Sequence, residues 1–361
     1  MHFQRSAVRR TVAALAVVSG LALLTPTTAT AAGQPPKPRR LTYAYVTSLD
    51  GHVYVIDTRT NSVLGIATTT VGGGADQVAV TPDGASLYVT NAFKYVSVVN
   101  IAKTSATNIP FDNSELSPDI LYGEAIAPDG KHAYVAVQNP FHGDKVSVID
   151  TATKQVSATI QVSKPHQVVI SPNGKRLYVS GDKGGSLSVI NTTNDQVIAT
   201  IHLDEPANGM AITPDGKHLY VTGNSGTVSV ISLAKRKIVH TIPGAGTGGV
   251  TISPNGSRAY VVGVRVKNKS TQGKVSVINT TTDAVTKTIP IGDSTPANGP
   301  GRYFLPSEVA VTPDGKSAYV VGSYGHGTPQ GTVFAINTAT EAVTPITVGA
   351  GDTMGAATGR L

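Results

Sequence analysis

The chain has 361 residues, with 29 Lys and Arg against 22 Asp and Glu, and it contains neither cysteine nor tryptophan. The formal charge of +7 falls to +4 once the three arginines among the first 31 residues are removed, which is too mild to point to nucleic acid. Without cysteine there is no disulfide, no lipid-attachment thiol and no thiolate metal site, and without tryptophan there is no Trp-docked quinone or Trp-platform sugar site.

Residues 1–31 have the form of a removable export signal. Arg5, Arg9 and Arg10 give a positive start, Val12 to Leu24 an apolar stretch too short to span a bilayer, and Ala29-Thr30-Ala31 a small-x-small cleavage site. The expected product is a secreted chain, cut after Ala31, with no transmembrane segment. Residues 32–40, rich in Pro and Arg, read as a flexible leader with nothing to bury. Residues 41–361 are then expected to form one large β domain.

From Val78 the chain repeats itself. VAVTPDGASLYVTN at Val78 to Asn91 returns, with small changes, near Ala125, Val168, Met210, Val250 and Val309. Each copy predicts an inner strand a, a tight Pro-Asp/Asn-Gly turn and a strand b, because Pro presets φ and Gly supplies the positive φ of the turn. Strand c follows as VYVID, VSVVN, VSVID, LSVIN, VSVIS, VSVIN and VFAIN, and strand b carries one tyrosine per unit, from Tyr45 to Tyr319. A unit of this size and kind cannot bury its own apolar face, which predicts an all-β, seven-bladed β-propeller of four-stranded blades. Leu41 to Val46 is already a strand b, so the missing strand a is expected from the C-terminus. Asn337 to Gly359 spans 22 residues, as do Asp150 to Pro172 and Ser232 to Pro254, and this aligns Met354 to Thr358 with Gly209 to Thr213. The two termini would share one blade and close the ring.

LYVTN at Leu87 and LYVTG at Leu219, each after a TPDG turn, resemble the YVTN-repeat β-propeller family of exported proteins, and the resemblance runs from Leu41 to Thr358. It implies the propeller scaffold. For activity it implies several things at once, since relatives of this architecture include surface-layer proteins, lactonase-like enzymes and cofactor-carrying subunits.

Function is expected where the repeat breaks. The a–b and c–d turns keep one length each, whereas the strand-b tyrosine lies 12 residues from the end of strand c in blades 1, 2 and 5 but 16, 19 and 18 in blades 3, 6 and 7. The d–a connections lengthen at Phe111 to Gly123 and at Gly292 to Ser307. All insertions therefore fall on one rim, the side that repeat proteins use for recognition. At that end of the channel the ligand candidates are Gln77, Tyr122, Gln167, Asn208, Arg302, Tyr303, Tyr324 and His326, with Asp76, Ser307 and Thr353 beside them. The acid–base candidates are Glu124, His166 and Glu308. Glu124 stands where Val78, Val168, Met210, Val250 and Val309 stand in other copies, so it either buries a carboxylate in need of a partner or is turned to solvent by a bulge. The basic run Val264 to Lys274 reads as a solvated loop.

No Gly-x-Ser-x-Gly, His-Glu-x-x-His or calcium-loop pattern is present. The Gly244 to Gly249 run leads into a strand, which deprives it of the helix N-terminus that binds pyrophosphate. The histidines are scattered. No cofactor, metal or nucleic acid is implied, and a monomer is expected. The reading is an exported binding or interaction module for a small molecule or an envelope or protein partner. Channel-mouth lactone hydrolysis or lyase chemistry is the alternative, and a structural envelope role is the third.

Overall fold

The computed structural model describes residues 41–68, 74–91, 95–103, 105–111, 119–181, 185–267, 270–292, 304–324, 331–349 and 352–360. The expected export signal and leader, Arg302, Tyr303 and His326 lie outside these. The described residues form seven four-stranded antiparallel sheets with no helix. Blade 2 shows the unit: strand a at Ala75–Val80, b at Ser86–Asn91, c at Tyr95–Asn100 and d at Ser105–Pro110. Each inner strand packs against those of the two neighbouring blades, so the seven strands ring a central channel. The molecule is a seven-bladed β-propeller.

Ring closure is as the repeat demanded, with the register one residue from the expectation. Thr353–Arg360 pairs antiparallel with Thr42–Ser48, placing Ala357 opposite Tyr45 where Ala211 stands opposite Tyr220. Gly355, not Met354, is therefore the equivalent of Gly209. From Asn337 to Arg360, which takes the place of the turn proline, the spacing is 23 residues, as it is from Asn191 to Pro214.

The core is a set of seven apolar layers between blades rather than one centre. In the layer between blades 1 and 2, Tyr45 and Val53 pack against Val78, Leu87 and Val89. The repeated motif residues explain why neighbouring blades stay in register. Gly84 has φ +74° in its turn, where Thr81 Oγ1 donates to Asp83 Oδ1 at 2.6 Å and the Asp83 carboxylate accepts from the Ala85 amide at 2.9 Å. In blades 3 to 7 the turn glycine lies on the turn proline of the previous blade, as Gly130 does on Pro82 and Gly174 on Pro128. Thr151 Oγ1 donates to Gly130 O at 2.6 Å, tying the c–d turn of blade 3 to its a–b turn on the same rim.

The threonine after the strand-b tyrosine and valine has a further task. Every blade whose inner strand extends past its first residues carries a register shift there, such as between Ala75 and Val78 and between Leu121 and Glu124. The shift removes an amide from the ladder. Thr90 Oγ1 accepts from the Gln77 amide at 3.1 Å, Ser180 Oγ from Gln167 at 3.0 Å and Thr47 Oγ1 from Gly355 at 2.7 Å. Thr47 and Thr222 also donate across the seam, to Asp76 O at 2.5 Å and Gly248 O at 2.7 Å. Blades 3, 6 and 7, the ones with long b–c segments, hold Ala136, Val262 and Val321 instead.

Two connections differ from expectation. Strands b and c of blade 6 run on as Arg258–Lys267 and Ser270–Asn279, paired to Lys267↔Ser270, so the basic run is largely an extended hairpin in which Arg265 donates to Gln272 Oε1. Phe304–Val311 and Ser317–Tyr324 of blade 7 are likewise lengthened and paired out to Phe304↔Tyr324.

Candidate functional site

Gln77, Tyr122, Glu124, His166, Gln167, Asn208 and Glu308 lie in the first residues of the inner strands, around the bulges. Asp76, Tyr122, His166, Asn208 and Ser307 occupy the same repeat position in blades 2, 3, 4, 5 and 7, two residues before the position that faces the conserved strand-b valine. Gln77, Gln167 and Glu308 follow them. The ring is therefore polar at a single level of the channel, with one side chain supplied by each of these blades.

On three consecutive blades these groups converge. The rings of Tyr122 and His166 lie 4.9 Å apart, tilted by 50°. Asp76, on the preceding blade, has its carboxyl pushed up by burial, opposed by a hydrogen bond from Gln77 and by attraction to His166. Asp76 in turn acts electrostatically on both Glu124 and Glu308 and so couples the carboxylates of three blades.

Glu124 sits opposite Val135 as Val78 sits opposite Val89, Val168 opposite Val179 and Met210 opposite Val221. The bulge before it is the same one its neighbours carry, and it does not release the side chain to solvent: both carboxylate oxygens are buried without a hydrogen-bond partner of good geometry. Burial is the main cause that raises its pKa well above the ordinary value; the nearby Ala79 amide opposes this and the Asp76 charge adds to it. A neutral carboxylic acid is the form this environment favours.

Glu308 is the third raised acid of the ring. Its carboxyl is pushed up to about 7, first by burial and then by Asp76, with the Val309 amide, which donates to Oε1 at 3.1 Å, pulling the other way. Glycine at 249 makes room for it, since a Cβ there would collide with the Glu308 carboxylate.

Other candidates are drawn into structural roles. Asn208 donates through Nδ2 to Asn224 Oδ1 at 2.8 Å and to Thr247 O at 2.9 Å, which pins blade 5 to the approach of blade 6. Tyr324 packs on Phe304 with centroids 5.2 Å apart, in the apolar layer of the blade 7 extension and away from the inner-strand ring. His166 makes no hydrogen bond or ion pair with a carboxylate among the described residues, so no acid–base pair of contact distance forms. No group of three or more His, Asp or Glu able to hold a metal occurs among the described residues.

On the opposite rim, where the turns keep one length, two cavities open. One of about 420 Å³ lies between blades 2 and 3, and one of about 320 Å³ between blades 6 and 7. Their origin is visible in the strand-b tyrosines. Tyr319 donates to Asn61 Oδ1 at 2.7 Å and Tyr220 to Asp283 Oδ1 at 2.5 Å, each reaching a left-handed residue in the c–d turn of the next blade. At the corresponding positions facing Tyr88 and Tyr260 stand Lys154 and Glu341, those hydroxyls make no such bond, and both cavities adjoin them.

No family model matches the chain. A seven-bladed β-propeller protein of Mycobacterium tuberculosis (strain ATCC 25618 / H37Rv) is 31% identical over 122 residues, which are 33% of this chain. That match spans 30% of the relative's length. Among solved structures, hydrazine synthase of Kuenenia stuttgartiensis is similar with a TM-score of 0.59 and 23% identity, over 72% of this chain and 76% of that one. A functionally unknown protein from Desulfotomaculum acetoxidans DSM 771 gives a TM-score of 0.67 at 15% identity, over 88% of this chain and 98% of its own. At these identities the likeness is one of fold, and fold does not carry function.

Proposed function

We propose that this chain is an exported binding module, secreted after cleavage at Ala31 and acting as a monomer. It takes a small molecule, or a group presented by an envelope or protein partner, at the long-loop end of its channel. The observation that carries this reading is the meeting of Asp76, Tyr122 and His166 on three consecutive inner strands, where His166 has a ring neighbour and feels the Asp76 carboxyl without a hydrogen bond to it. Such a group can donate, accept and stack on a ligand without being committed to proton transfer. The resemblance to YVTN-repeat proteins supports export and the propeller platform.

A second reading, lactone hydrolysis or lyase chemistry, has one observation in its favour: the Glu308 carboxyl titrates near neutrality, as a general acid or base requires. The two are separated by incubating the full secreted chain with a panel of lactones and following acid release at constant pH. The binding reading expects no turnover above buffer. Saturable hydrolysis abolished by Glu308→Gln would replace it with the enzymatic one.

A further inference from the structure

The seam between blades 2 and 3 combines three features. It holds Glu124 in a layer where the equivalent positions of the other blades are apolar. Its strand-b tyrosine, Tyr88, is 1% exposed yet its hydroxyl has no protein partner, and it lines the cavity of about 420 Å³. It is also the seam at which two successive Pro-x-Gly turns both carry Asp, Asp83 and Asp129; blades 4 and 6 have Asn173 and Asn255 in that place.

Both carboxylates line the cavity with Tyr88, Thr81, Thr151 and Lys154. Asp83 uses Oδ1 to accept from Thr81 and the Ala85 amide, and Asp129 uses Oδ1 to accept from the Lys131 amide at 3.0 Å, which leaves Oδ2 of each without a protein donor. Lys154 forms no ion pair with either. Asp150, just outside the lining, acts electrostatically on Tyr88. The cleft therefore has an excess of unused acceptors and of negative charge over one cation. Two carboxylates fall short of a metal's ligand set, whereas an ammonium group satisfies two carboxylate oxygens and a phenol oxygen with its own donors.

We propose that this inter-blade cleft is a binding site for a small protonated amine, held between Asp83 and Asp129 over the Tyr88 hydroxyl. The site is independent of the one at the channel end and lies on the opposite rim.

The test uses the full chain, with benzylammonium and its neutral analogue benzyl alcohol as probes, followed through backbone amide shifts by NMR. Saturable shifts at Ala85 and Gly130 are expected for the ammonium, with binding at least about tenfold tighter than for the alcohol. Asp129→Asn is safe for the fold, because Asn173 and Asn255 make the same turn bonds to the Lys175 and Ser257 amides. That change is expected to weaken the ammonium at least about fivefold, and Lys154→Ala to strengthen it. Tyr88→Phe should weaken it with no change in melting temperature. Equal affinity for the two probes, shifts confined to the channel end, calcium displacing the ammonium at equimolar concentration, or indifference to Asp129→Asn would each overturn the proposal.

Discussion

Glu308→Gln turns the electrostatics of the channel into a stability measurement. The wild-type carboxyl titrates at about 7 in the fold against an ordinary 4.5. Between those values the folded chain holds a proton that the unfolded chain has released, so stability falls as pH rises through this window and is level above it. At about 1.4 kcal/mol per pH unit the loss from Glu308 is about 3 kcal/mol between pH 4.5 and pH 8. Glutamine keeps the shape and the Val309 bond and carries no charge at any pH. The variant should match wild type near pH 4.5 and exceed it by up to about 3 kcal/mol at pH 8, which urea titrations at the two pH values read as a shifted midpoint with an unchanged slope. Asp76 and Glu124 are raised in the same direction, so some downward slope should persist in the variant. A stability difference that does not change with pH, or a variant weaker than wild type at pH 8, would refute the placement of a buried acid at this point in the ring.

Thr47→Val should cost about 1 to 3 kcal/mol in chemical denaturation, because the Gly355 amide and the Asp76 carbonyl lose their shared hydroxyl at the seam of blades 1 and 2. Tyr319→Phe should cost about 1 kcal/mol through loss of its bond to Asn61, and Tyr88→Phe close to nothing, since the Tyr88 hydroxyl has no protein partner; equal melting temperatures for the two would contradict the stapling account. Truncation before Thr353 removes the strand paired with Thr42–Ser48 and should abolish cooperative unfolding by circular dichroism, whereas a ring held by other contacts would still melt sharply.

The fold was legible in the sequence because a repeat supplies its own alignment: seven strand-c copies give the blade count, and a chain that opens on strand b must be completed from its other end. The tyrosine was legible as packing, but its hydroxyl was not, since the partner at Asn61 or Asp283 comes from the turn of another blade. The threonine after it was invisible for a related reason. It answers a bulge in the neighbouring strand, and bulges leave no mark in a pattern of apolar residues. At the candidate site, alignment placed Asp76, Tyr122, Glu124, His166 and Glu308 at the correct level of the channel. It gave height along a strand and nothing of direction across the seam, so it missed that Glu124 faces blade 2, that Asn208 is committed to blade 6, and that Tyr324 belongs to an apolar extension. The cleft between blades 2 and 3 had a signal in the consecutive Asp83 and Asp129 turns, which uniform turn length concealed.

Native mass spectrometry of the protein purified from culture medium without denaturation reads directly whether the long-loop end of the channel binds a small molecule or presented group. Wild type should carry a discrete added mass, His166→Ala and Asp76→Asn should lose it while melting no lower than wild type, and Lys175→Ala and Lys217→Ala on the opposite rim should retain it. A mass retained by the channel variants and lost with the opposite-rim changes, or a wild-type chain that arrives bare and stays bare after incubation with its own culture filtrate, would contradict such binding.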